Sequence, residues 1–285
     1  MRMTQGIRAL THEEIVSYST HLQENEKSSA TVLKYVHDLK VAATYFGGKE
    51  LTKSTLIEWK NTLIDKYSTA TVNSVLASLN GFLKYMGWAD LTVKPLKIQQ
   101  PLFRDENREL TYAEYKRLVH AAEGAGNRRL ALVVQTICAT GIRVSELQFI
   151  TVEAVHTGRT EINNKGKRRT IFLPKKLQRV LSRYIKEMNK TDGAIFTTRN
   201  GNPLDRSNIW RDMKALCESA GVEANKVFPH NLRHLFAITY YGIEKDISRL
   251  ADILGHSSIN TTRIYTMESG SVHAHQIERL GLIIT

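Results

Sequence analysis

Four stretches early in the chain share one signature: residues 11–26, 29–46, 52–67 and 69–86 each carry a Ser or Thr at or close to their start, then apolar residues every three or four positions. That period lines the apolar side chains along one face of a helix, and Ser and Thr are the residues that cap helix starts. Gly47-Gly48 closes the second stretch, as a left-handed C-cap would. Four amphipathic helices can hide their apolar faces only against one another, so an all-helical domain is predicted over residues 1–92.

The pattern then stops. VKPLKIQQPLFRDENREL is rich in Pro, Gln and charge and reads as an interdomain linker over 93–108, with Leu102 and Phe103 as candidate anchors. Residues 109–285 follow a different plan. Thr111 with Glu114 writes a capping box for a helix over 111–123, and a more apolar helix over 128–140 ends at Gly141. A short helix at 145–150 precedes TEINNKGKRRTIFLP, whose β-formers alternate around Asn163-Asn164 and Lys165-Gly166, the mark of a hairpin with a basic turn. A helix over 175–189, a short strand at AIFT, a turn at RNGNP and a helix over 207–221 come next, and helices with brief breaks finish the chain. The expected class is mainly α with a small β-sheet: a helical N-terminal domain and an α+β second domain, which 285 residues can supply with two cores.

Hydrophobic residues make up 42% and charged residues 24%, so folded domains are expected throughout. No apolar run approaches the ~20 residues that cross a bilayer, and MRMTQGIRAL lacks a signal-peptide core, so the expectation is cytoplasmic, with no membrane partner. Cys138 and Cys217 lie in apolar helical patterns and read as reduced core residues. The charge is less ordinary. Forty Lys+Arg against 28 Asp+Glu give +12, and residues 1–100 hold only 12 of the basic and 9 of the acidic groups. Between Lys165 and Lys186 stand nine Lys/Arg and no acid. Such a run can be a solvated face, but its density favours phosphate contact.

Near the C-terminus, LGHSSINTTRIYT places His256 and Tyr265 nine residues apart, roughly 13 Å along a straight helix. They can meet only if the chain turns, and Gly255 with Ser257, Ser258 or Asn260 supplies a helix stop and a new cap. A surface helical hairpin with Tyr265 as a half-buried anchor is the plainer alternative. ATGIRVSEL puts Arg143 just after a buried helix, where it serves either as a C-terminal cap or as an anion ligand. Lys165 in NNKGKRR is a turn lysine, and His230 after Pro229 has the place of a helix-start residue. Arg233 in HNLRHLF is harder to dismiss: on an otherwise apolar helix a guanidinium needs a partner, and a phosphate would serve. Two arginines, a lysine, two histidines and a tyrosine, with no obvious carboxylate cluster for metals, suit attack of a tyrosine hydroxyl on a phosphodiester. The guanidiniums would grip the non-bridging oxygens, an imidazole would help ionise the phenol, and the lysine would protonate the leaving oxygen.

In order and spacing, TGIRVSEL, NKGKRR, HNLRH and LGHSSINTTRIY resemble the tyrosine recombinase, or phage integrase, family. The resemblance implies site-specific DNA recombination through a 3′-phosphotyrosyl intermediate, without a cofactor. It implies that Arg143 and Arg233 bind the scissile phosphate, Lys165 is the general acid, His230 and His256 assist, Tyr265 is the nucleophile and Glu146 orients the site. Lys167, Arg168 and Arg169 become candidate contacts to DNA phosphates. The N-terminal helices then resemble the family's SAM-like core-binding domain, which closes with the catalytic domain around duplex DNA. Few residues precede the first helix, so no arm-binding domain is expected. Implied partners are double-stranded DNA with inverted-repeat core sites, a homotetramer whose C-terminal tail (267–285, ending in Leu280, Leu282, Ile283 and Ile284) is exchanged between protomers, and an accessory directionality factor. A type IB-like topoisomerase and a non-cleaving DNA-binding regulator of the same fold are the alternatives.

Overall fold

The computed structural model describes residues 7–98, 106–164, 167–267, 275 and 277–283. The chain divides into two compact units, residues 1–100 and 101–285. Among the described residues, no helix is long and apolar enough to cross a membrane.

The first unit consists of α1 (His12–Glu24), α2 (Ser29–Phe46), α3 (Lys53–Ile64) and α4 (Thr69–Tyr85). Each starts at a hydroxyl cap: Thr11, Ser28, Thr52 and Ser68 accept from a backbone N–H three residues on. Gly47 ends α2 at φ +58°. The four apolar faces meet in a core of Leu39, Ala42, Leu56, Trp59, Leu76, Leu79, Phe82 and Leu83. The start of the expected linker belongs to this unit. Val93 is buried in the same core and Leu96 packs against it, while Asn80 and Asn73 bracket the backbones of Val93 and Leu96 with paired hydrogen bonds of 2.7–2.8 Å. Leu102 and Phe103 lie outside the described residues.

The second unit is organised around α6 (Arg128–Thr140), whose residues Leu130–Val134, Thr136, Ile137 and Thr140 are buried. It packs against α5 (Tyr112–Gly124), α8 (Lys175–Glu187), α9 (Arg206–Lys214) and α11 (Pro229–Glu244). Thr136 and Thr140 satisfy their hydroxyls on the carbonyls four residues back, at 2.7 Å, which lets polar side chains sit on a buried helix. Between α6 and α8 lie a 3-10 turn (Val144–Phe149), the short α7 (Val152–Thr157), and an antiparallel hairpin of β1 (Arg159–Asn164) and β2 (Lys167–Phe172). Two expectations change. AIFT forms only single bridges, Thr151 with Ala194 and Thr197 with Pro203, because Ile195 and Phe196 are drawn into the core without a neighbouring strand. The helix expected over 207–221 breaks into α9 and α10 (Cys217–Ala220). The chain ends through α11, α12 (Ile247–Leu254) and α13 (Ile259–Thr262), which runs into a 3-10 turn at Arg263–Tyr265.

Candidate active site

The site gathers where three helix ends meet. Gly141 stops α6 at φ +64°, and a Cβ there would lie 2.4 Å from the Phe236 ring, so glycine alone lets α11 approach. The chain then turns through buried Ile142 and presents Arg143. Gly255 stops α12 at φ +63°, and Ser258 caps α13. This turn folds the segment back and brings the His256 and Tyr265 rings to 6.2 Å, nearly parallel.

Arg233 rises from α11 into the gap. It is buried to 2% exposure, and no carboxylate among the described residues forms an ion pair with it. It donates to the carbonyls that end the two flanking helices, Gly141 O at 2.5 Å and Leu254 O at 2.7 Å, and to His256 Nε2 at 3.1 Å. Burial first, then the positive charges of Arg143 and Arg169, pulls its pKa down to about 10. The guanidinium therefore stays charged at neutral pH. Arginine has no acceptor, so His256 Nε2 must carry the lone pair and Nδ1 the proton, which points to Thr262 Oγ1 at 2.9 Å. Burial and the surrounding Arg233, Arg143 and Arg169 push the His256 pKa down to about 4. The imidazole is neutral in the unliganded site.

Arg143 is the more open cation, its side chain 35% exposed. Glu146, almost fully buried, accepts from both its backbone N–H at 2.9 Å and its Nη1 at 3.0 Å. The other oxygen traffic on Glu146 comes from Arg169, which forms a close ion pair with it and donates to Ile253 O at 2.6 Å. Strand pleating explains why Arg169 turns inward while its neighbour does not. Arg169 is paired with buried Ile162, and residues directly opposite share a face, whereas Arg168 pairs with Asn163 on the outer face and is exposed. Two guanidiniums thus share one carboxylate, with Arg233 as a third cation nearby. Beside them opens a cleft of ≈ 820 Å³ lined in part by Arg143, Arg168, Arg169, Gly255 and His256.

Tyr265 is buried to 3% exposure, its ring stacked near His256 and met edge-on by His234 at 4.6 Å. Burial raises its pKa, while Arg233, through charge and a hydrogen bond to the phenol, and Arg143 pull it back. His230 sits at the solvent-facing start of α11, 6.0 Å from the His234 ring. Packing around it, then Arg233, Arg206 and Arg143, lower its pKa. Arg143, Glu146, Arg233, His256 and Tyr265 are therefore brought together, with His230 at the edge. Lys165 lies outside the described residues, and Lys167 opens β2. Sequence reasoning overlooked Thr262, which accepts from His256 Nδ1, and His234 against Tyr265. The HNLRH stretch and the Thr261-Thr262 pair were visible, but nothing in them says which hydroxyl or which ring faces inward.

A model of the phage integrase family matches residues 108–270, and a model of the phage integrase SAM-like N-terminal domain matches residues 15–90. Tyrosine recombinase XerA of Pyrococcus furiosus is 28% identical over 291 residues, covering 97% of this chain and 96% of the relative. Tyrosine recombinase XerD of Oceanobacillus iheyensis is 28% identical over 280 residues, covering 91% and 89%. Among solved structures, a lambda integrase tetramer bound to a Holliday junction superposes with a TM-score of 0.75 at 17% identity, over 92% of this chain and 78% of that one. The XerH recombinase in its post-cleavage complex with difH gives 0.69 at 22%, over 93% and 84%. These likenesses identify the two-unit fold, and with the catalytic-region model accounting for more than half of its length, the chain belongs to the phage integrase family.

Proposed function

We propose that this protein is a site-specific DNA recombinase that cuts and rejoins duplex DNA through a covalent tyrosyl intermediate. One observation carries the reading: Arg233 is a buried guanidinium with carbonyls and a neutral imidazole for partners and, among the described residues, no carboxylate paired with it, held against a phenol. A buried cation without an anion is costly, and a phosphodiester supplies the missing charge. Arg143, held by Glu146 but open to the cleft, adds donors for a second non-bridging oxygen.

Tyr265 Oη attacks phosphorus, the bond from phosphorus to the 5′-oxygen breaks, and the guanidiniums stabilise charge on the equatorial oxygens. Burial and then the neighbouring guanidiniums depress His256, and the phosphate's arrival offsets the second of these, so the imidazole becomes a better base as the phenol needs to lose its proton. Lys165 protonates the leaving 5′-oxygen, and the reverse steps with another strand's 5′-hydroxyl rejoin DNA without ATP. Arg168 contacts a flanking phosphate. Arg169 positions Glu146 rather than touching DNA. The proximity of Tyr265 to its own chain's Arg233 and His256 supports cleavage in cis.

The working assembly is a tetramer on cytoplasmic DNA whose core sites are inverted repeats, with the C-terminal tail docked on a neighbouring protomer and an accessory factor setting direction. Leu280, Leu282 and Ile283, each at least 62% exposed, support the docked tail, and the lambda integrase tetramer on its junction is the structural precedent. Incubation with nicked duplex from the ends of the chain's own genomic element tests the chemistry. The expected result is a covalent protein–DNA adduct on a denaturing gel that maps to Tyr265 and vanishes in Tyr265→Phe. An adduct persisting in that variant overturns the nucleophile.

A further inference from the structure

The long basic run does not stay together in the fold. Of its first part, Arg168 and Arg169 on the hairpin line the active-site cleft, and its second part covers the outer face of α8. That helix buries Leu177, Leu181, Tyr184 and Ile185, and exposes Lys175, Lys176, Arg179, Arg183 and Lys186. Among the described residues none of these five cations forms an ion pair, although Glu187 beside them is paired with Arg128 at 3.2 Å. Lys175, Arg179, Arg183 and Lys186 recur at three- and four-residue spacing and line a groove with His156, Gln178 and Ser182 that contains no carboxylate.

This groove shares no residue with the catalytic cleft. The Arg128–Glu187 pair fixes the end of α8 at the beginning of α6, and Gly141, beside Arg233, lies at the other end of α6. Thirteen helical residues put roughly 20 Å between those ends. The stripe is itself roughly 16 Å long, and duplex DNA carries one charge per ~1.7 Å of axis, so a duplex laid along α8 meets several phosphates at once.

We propose that the α8 face is a second DNA-backbone site, which holds a duplex segment other than the one in the catalytic cleft. Four of the groove's eight lining residues are cations, and a row of cations with no ion pair among the described residues complements a phosphate row. Recognition there is independent of sequence, since phosphate contacts position DNA without reading bases. The site stands apart from the cleavage chemistry, so its test needs no adduct.

The test uses the full chain and a duplex of arbitrary sequence of about 12 base pairs, titrated by calorimetry and native mass spectrometry at about 50 mM salt. Wild-type protein is expected to bind one more duplex per chain than Arg179→Glu/Arg183→Glu/Lys186→Glu, the two melting alike. For the extra duplex, the slope of log K against log salt should shrink by about 0.9 for each cation in the milder series Arg179→Gln, Arg183→Gln and Lys186→Gln. Equal stoichiometry in wild type and the charge-reversed protein overturns the site. Loss of all DNA binding in the charge-reversed protein overturns its separation from the cleft. Failure of the tyrosyl adduct leaves this stoichiometry untouched, so the two readings fall separately.

Discussion

Each unit buries charge, and the two do it differently. In the N-terminal unit, Lys34 pairs with Asp38 at 2.6 Å, and buried Ser78 donates to the same carboxylate at 2.6 Å, tying α2 to α4. One cation meets one anion, and the network is complete as it stands. In the catalytic unit, Arg143 and Arg169 share the carboxylate of Glu146, while Arg233, close by, has carbonyls and an imidazole as its partners among the described residues. Here the protein stops short of neutrality. A balanced pair is a structural device, whereas a surplus of guanidiniums among the described residues is the arrangement that an added anion would complete.

The largest effect should come from Tyr265→Phe, which removes the proposed nucleophile and leaves the cation surplus intact: adduct formation lost altogether, DNA affinity within about twofold of wild type. Next comes a pair of substitutions that sets the two networks against each other. Arg233→Lys keeps the charge but cannot reach Gly141 O, Leu254 O and His256 together, and should lower single-turnover cleavage about 10²–10³-fold. Lys34→Met should leave cleavage unchanged and cost about 1–3 kcal/mol in urea unfolding, because Asp38 loses its counter-charge. If Lys34→Met impaired cleavage as severely, the distinction between the networks would collapse.

A third substitution sharpens the point within the site. Arg169→Met removes the charge that pins Glu146 from the hairpin side, and Glu146 in turn holds Arg143. Cleavage should fall about tenfold, with DNA affinity nearly kept, since Arg169 faces inward. A loss of affinity matching that of Arg168→Glu would instead make Arg169 a phosphate ligand.

The contrast also separates what sequence reveals from what it hides. The helices of the first unit were legible to within three residues at their ends because caps and periodicity are local: Ser28 and Gly47 bound α2 where the spacing said. At the site, Gly255 and Ser258 announced the turn that brings His256 to Tyr265. What was not legible depends on neighbours distant in sequence. Arg168 and Arg169 look interchangeable until the register with Ile162 and Asn163 assigns them opposite faces. The Val93–Leu96 stretch resembled a linker because Asn73 and Asn80, which hold it, belong to another helix.

The smallest effect reads the surplus through protons. His256 titrates at about 4 in the folded site, against an ordinary 6.5. As pH falls from 6.5 towards 4, the unfolded chain binds a proton that the native site refuses, so stability is full above 6.5 and declines through that window, by about 1–2 kcal/mol after allowance for partial solvent screening. His230, also lowered, acts with the same sign, so His256→Gln should flatten the decline without removing it. An anion reverses the argument. If a DNA phosphate enters beside Arg233 and Arg143, it offsets the guanidinium charge that adds to burial in depressing His256, raises its pKa and makes binding take up protons below neutral pH. Calorimetry in buffers of different ionisation heat should detect that uptake in wild type and a smaller one in His256→Gln. Identical uptake in the two proteins would mean that the anion never reaches the surplus, and that the buried guanidiniums serve the fold alone.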